Sequence, residues 1–132
     1  MLFRSRKRRA ALGAVRKGDA KMAHIYPKSE RTLDLYKEVG AQTRLCKDVL
    51  VRTVVGLGKV LKANELHKLT KAIDLLQEAS STAENRMYSD HPEIGHDYIN
   101  VFYGTLGQDC GNPVDTEVRL KAEEFANSII AH

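Results

Sequence analysis

The chain has 132 residues, 42% of them hydrophobic and 29% charged, with nine Gly, three Pro and no Trp. Such a length suits one domain of roughly 100–200 residues, and the composition excludes collagen-like, mucin-like, disulfide-scaffold and wholly disordered chains. A transmembrane protein is excluded too, because no run reaches the roughly 18–20 apolar residues that cross a bilayer; the longest, 49–61, is interrupted by Arg52 and Lys59.

The net charge of +4 is unevenly placed. Residues 1–28 hold nine Lys and Arg against one acid, Asp19, for +8, whereas residues 29–132 hold twelve cations and sixteen acids, for −4. A basic arm on a mildly acidic body points to a polyanion partner for the arm. Arg4, Arg6, Lys7, Arg8 and Arg9 put five cations in six positions, with Arg16, Lys17 and Lys21 behind them. Arginine forks phosphate oxygens bidentately, and phosphate contacts carry little base information. These eight residues are therefore the expected contacts to DNA or RNA. Phe3 is the one aromatic among them, so base stacking is not expected. Two other readings of the segment stay open. It is Arg-rich and almost acid-free, as mitochondrial transit peptides are, and it could be a solvated tail ahead of a start at Met22-Ala23-His24. Leu2 and Phe3 also allow contact with a membrane surface. Residues 1–28 are expected to be disordered alone, with a helical turn around 9–17 forming on a partner, and residues 29–132 to form a helical domain.

From Ser29, a candidate N-cap, apolar residues recur at Leu35, Val39, Cys46, Val49, Leu50, Leu57 and Leu61, close to a helical period. This predicts one long helix over about 30–62, or two collinear ones with Gly40 as the break. The β-branched run 49–55 could be a buried strand, but no partner strand follows, so helix is preferred. Asn64 opens a second element with a seam at Leu66, Leu69, Ile73, Leu76, Ser80, Ala83 and Met87, alternating steps of three and four. Pro92 suits the first position of a third helical segment capped by Asp90 or His91, with Ile94, Tyr98, Ile99, Val101, Phe102 and Leu106 forming its apolar face. After a loop at 107–111, Asn112-Pro113 is a cap followed by proline, and Val114, Val118, Ala122, Phe125 and Ile129 mark the inner stripe of a last helix. The fold class is thus all-α: a small helical bundle of about four segments with a flexible basic N-terminal arm. The long first helix and the heptad seam suggest a homo-oligomer or a partner protein, the alternative being stripes filled within one chain.

Chemistry-bearing motifs are sparse. His91, Glu93 and His96 are weak metal candidates: Glu93 and His96 share the Glu-x-x-His spacing of carboxylate-bridged two-metal bundles, but no second such motif or pair of inward glutamates accompanies them. The alternative is a polar, charge-balanced helix start. Gly56-Leu57-Gly58-Lys59 fails as a phosphate loop, since Thr53 stands where the first Gly should be and Val60 follows the lysine. Cys46 and Cys110 are read as reduced thiols, Cys46 as a small core residue. No cofactor is expected. Arg44, Lys47, Arg52, Lys59 and Lys62 could extend the arm's electrostatic track along the first helix, or form an ordinary solvated face.

The sequence therefore points to a non-enzymatic, nucleic-acid-associated accessory or assembly protein. Its arm would contact phosphates, and its body would mediate oligomer or partner contacts through the second and third segments. The alternative is a helical structural or interaction subunit of a larger complex, with the arm as a docking or targeting segment. Both expect a cytoplasmic or other reducing intracellular compartment, with mitochondrial targeting left open.

Overall fold

A computed structural model describes residues 24–104 and 112–130. The chain divides into two units after Glu30. In the first, the described residues 24–30 are exposed and end in a single 3-10 turn, Lys28–Glu30, closed by the Glu30 N–H donating to the Pro27 carbonyl at 2.8 Å. Ser29 lies in that turn and does not cap the long helix.

The second unit is all-helical, with no strand among its described residues. Its helices are α1 (Leu33–Leu57), α2 (Ala63–Asp90) and α3 (Pro113–Ile130). Helix α1 starts where Thr32 Oγ1 accepts the Leu35 N–H at 3.1 Å, the usual role of an N-cap hydroxyl. It runs unbroken through Gly40 and through 49–55, which is helix and not strand. Gly40 is a contact point instead of a break: a Cβ there would stand 2.5 Å from the Val101 carbonyl oxygen. The missing side chain lets the 100–104 backbone press against α1. A turn over 58–62 reverses the chain, with Val60 and Leu61 both donating to the Leu57 carbonyl, and α2 returns along α1 as the second limb of a hairpin. Glu65 reaches back to the Lys62 N–H at 2.8 Å, closing the first turn of α2.

The expected third helix does not form. Residues 91–104 run through turns with one 3-10 turn at His96–Tyr98, and Pro92 sits in a turn. Their carbonyls are turned to a tertiary use: those of Asn100 and Val101 accept from Arg44 on α1. Among the described residues this segment contributes Val101 and Phe102 to the core, while Ile99 is exposed. Helix α3 begins as its sequence predicts, with Asn112 Oδ1 accepting the Val114 N–H at 2.8 Å and Pro113 at the first helical position.

The core is small: Tyr36, Ala41, Met87, Val101, Phe102, Val118 and Ala122, with Leu33, Ala83, Tyr88, Ile94, Tyr98, Tyr103 and Val114 packed around it. The α2 seam is correct, since Ser80 and Met87 are buried and its other members half-buried. The α1 stripe is right only in part, with Leu35, Leu50 and Leu57 half-buried. Its buried positions are Tyr36, Gly40, Ala41 and Arg44, whereas Val39, Cys46, Val49 and Leu61 are exposed. Cys46 is thus a free surface thiol and not a core residue. On α3, Val118 and Ala122 face inward as expected, but Ile129 is exposed near the helix end.

Candidate functional site

Two buried polar clusters organise the second unit. In the first, Arg44 is the centre. Its side chain is wholly covered; Nε donates to the Val101 carbonyl at 3.1 Å, and Nη2 donates to the Asn100 carbonyl and pairs with Asp115 at the start of α3. Gly104 lies directly against the guanidinium, where any Cβ would overlap it. One side chain on α1 thereby binds the 100–104 turn and α3 together. Taking both charges out of water is costly; mutual pairing plus the carbonyl bonds offsets part of that cost, while Arg44 Nη1 and Asp115 Oδ2 are buried without a hydrogen-bond partner. Asp115, in the first turn of α3, also lies at the favourable end of the helix dipole.

In the second cluster, Asp90 at the end of α2 receives a bidentate pair from Arg31, at 2.6 and 2.8 Å, and the Tyr36 hydroxyl at 2.5 Å. The Arg31 bonds, joined by that from Tyr36, hold the Asp90 carboxyl well below the ordinary carboxylate range. Burial, together with the Asp90 bond, pushes the Tyr36 hydroxyl up. His91 closes the group, with Nε2 2.7 Å from the Arg31 carbonyl oxygen and its ring edge-on to Tyr36 at 5.9 Å. A third pair joins Lys37 to Glu117 on α3 at 2.8 Å, with the ammonium 5.7 Å from the Tyr98 ring centre. Burial is the strongest single influence on Lys37 and opposes its charge, but the Glu117 bond together with the charges of Tyr98, Glu117 and Asp34 outweighs it and the pKa rises. In each cluster the charged groups are turned toward one another across element boundaries. They act as ties between helices.

The metal candidates are only partly brought together. His91 Nδ1 lies 3.6 Å from Glu93 Oε2, but the opposite ring nitrogen is engaged with the Arg31 carbonyl. His96 is exposed in the 3-10 turn, so the helical Glu-x-x-His register that would place it beside Glu93 is absent. Among the described residues no group of three His, Cys, Asp or Glu is placed to hold an ion. His96 instead lines a shallow groove with Glu84, Tyr88, Ile94 and Ile99, in which burial raises the carboxyl of Glu84 and the hydroxyl of Tyr88.

The expected arm contacts, Arg4, Arg6, Lys7, Arg8, Arg9, Arg16, Lys17 and Lys21, lie outside the described residues. The track along the first helix loses Arg44 to the interior, and Arg52 pairs with Asp48 one turn away at 2.9 Å. Lys59 and Lys62 remain exposed at the hairpin turn. Sequence reasoning missed Arg44 and Tyr36 as organising residues. The available signal was the register of α1, where Tyr36, Gly40 and Arg44 recur every four residues on the face that the apolar count passed over. Among the described residues no helix is long and apolar enough to cross a membrane. Comparison with protein-family models, curated proteins and solved structures gives no match.

Proposed function

We propose that this protein is a non-enzymatic, nucleic-acid-associated accessory or assembly protein whose basic arm contacts phosphates while the helical body makes oligomer or partner contacts. The observation that carries this reading is the charge split: +8 over residues 1–28 against −4 over the remainder. Cations packed this densely displace condensed counterions from a phosphate backbone, an attraction indifferent to sequence. The acidic body is repelled by the same backbone and is left to face other proteins. The internal pairing of Arg31 with Asp90 and of Arg44 with Asp115 supports a scaffold role for the body's buried charges.

The test is binding of labelled single- and double-stranded DNA and RNA across about 50 to 200 mM salt, where phosphate contacts give a steep slope. The native chain is compared with a full-length variant carrying Arg4→Gln, Arg6→Gln, Lys7→Gln, Arg8→Gln and Arg9→Gln. Loss of these five cations is expected to flatten the log–log salt slope on duplex by about 4 to 5. Weak, salt-insensitive binding by both proteins would remove the proposal.

One observation favours the second reading, a helical interaction subunit. Lys37, Ala41, Arg44, Asp48, Val51 and Val55 recur at steps of four and three along one face of α1. Helix α3 packs against the first part of that face, and Val51 and Val55 continue it uncovered. Association with a protein that persists in the arm variant, and is lost on Val51→Asp/Val55→Asp, selects this reading.

A further inference from the structure

The hairpin's closed end differs from the rest of the second unit in both charge and cover. Residues 45–72 carry Lys47, Arg52, Lys59, Lys62, Lys68 and Lys71 against Asp48 and Glu65, a net +4; the rest of residues 29–132 carries six cations and fourteen acids, a net −8. At its apex, the turn from α1 to α2 presents Val60, 75% exposed, and Leu61, 37% exposed, directly between Lys59 and Lys62. The turn is ordered by its own backbone bonds, with Gly58 donating to Val54 and Val60 and Leu61 both donating to Leu57. Val60 is therefore held outward on a defined turn, with Leu61 partly exposed beside it.

We infer that this apex docks on an anionic lipid surface, Val60 and Leu61 entering the headgroup–acyl boundary while the surrounding lysines pair with lipid phosphates and carboxylates. Three occupants compete, and only one satisfies both halves of the observation. Nucleic acid would take the lysines but leave Val60 and Leu61 in water, and residues 45–72 hold no Phe, Tyr or Trp on which a base could stack, His67 being their one aromatic ring. A second copy meeting apex to apex would cover the aliphatic pair but set +4 against +4. An anionic bilayer takes apolar side chains and cations together, the combination by which peripheral elements bind membrane interfaces. Its field would also turn the molecule, drawing the basic apex down and driving the acidic remainder away. This proposal is independent of the arm's phosphate contacts.

The experiment is flotation with vesicles of phosphatidylcholine, with and without phosphatidylserine. It uses the full chain carrying the five arm substitutions, so that the arm's own attraction to anionic lipid is lowered, residues 1–28 falling from +8 to +3. That protein is expected to float with the serine-lipid vesicles and not with phosphatidylcholine alone. Val60→Asp/Leu61→Asp should lower its partitioning about tenfold or more by putting two charges where apolar groups enter. Lys59→Gln/Lys62→Gln, which leaves the aliphatic pair intact, should weaken binding and reduce its salt dependence. Ile129→Asp, an exposed change on α3, should do nothing. Failure of the arm-substituted chain to float overturns the inference, as does equal flotation of the Val60/Leu61 variant. Apex-dependent binding of labelled DNA or RNA without flotation reassigns the surface to nucleic acid. A dimer of the native chain that the apex variants turn into monomer reassigns it to a second copy.

Discussion

At the open end of the α1–α2 hairpin, residues 33–44 and 80–90 meet α3 and the 94–104 turns, and every buried residue of the described chain lies in that region. At the closed end, residues 45–79 include none. Both ends are made of the same two helices with the same seam, so the difference is not one of helix quality. It is the presence of a third layer. Two paired helices cover only the facing stripe, here Leu50, Val54 and Leu57 with Leu66, Leu69 and Ile73, and leave it half exposed. A further element is required to remove a side chain fully from water. Helix α3 has 18 residues against the 28 of α2, about 27 Å against about 42 Å at the standard rise, so it is too short to match the hairpin along its whole length.

The sharpest way to break this contrast is Arg44→Ala. It removes one partner of a buried pair and abandons Asp115 and two carbonyls, so a loss of about 3–5 kcal/mol is expected in urea unfolding. Arg52→Ala, which breaks an exposed pair in the closed half, should cost at most about 1 kcal/mol. The next largest contrast pairs two glycines of one helix. Gly40→Ala drives a methyl into the Val101 carbonyl and should destabilise by about 1–3 kcal/mol. Gly56→Ala meets open space within the helical span and should stabilise by about 0.5–1 kcal/mol through helix propensity. Opposite signs in the same chemical unfolding assay would confirm that packing, and not the backbone, separates the two ends.

A smaller effect concerns acid. The folded-state pKa of Asp90 lies below its unfolded value, so its contribution to stability is complete above the ordinary aspartate pKa of about 4 and declines as pH falls below it. Thermal unfolding from about pH 6 down to pH 2 should show this decline in the native chain, and a shallower one in Asp90→Asn. Equal slopes in the two proteins would show that the Arg31 and Tyr36 bonds contribute little.

The α2 seam, the last helix and five of the seven core residues (Met87, Val101, Phe102, Val118 and Ala122) were legible in the sequence, and the buried face of α1 was not. The α2 seam could be read because Leu66, Leu69, Ile73 and Leu76 are apolar at regular spacing, and the start of α3 because Asn112-Pro113 is a local signal needing no tertiary information. The buried face of α1 could not be read by counting aliphatic residues, since it is made of Tyr36, Gly40, Ala41 and Arg44. Val39, Cys46 and Val49 drew the stripe away by about one position. The 94–104 segment resembles a helix in composition, but the carbonyls of Asn100 and Val101 are engaged by Arg44, which lies some 57 residues earlier, a tertiary contact that local pattern does not carry. Of the candidate sites, the Glu93–His96 pairing depended on that helix and was lost with it. The arm's charge is plain in the sequence alone.

The Arg44 tie also sets a rule of replacement. Its acceptors are two backbone carbonyls and a carboxylate, approached from two different nitrogens of one planar group, with the bare Cα of Gly104 flat against it. Lysine brings the same charge but only one nitrogen and a round, strongly hydrated head. From that one point it could meet Asp115 and the Asn100 carbonyl, as Nη2 does, but not also the Val101 carbonyl that Nε holds, so at position 44 the charge-conserving exchange is a disruptive one. What the fold requires there is a shape with donors on two edges, and among the twenty side chains arginine alone carries it as a permanent cation.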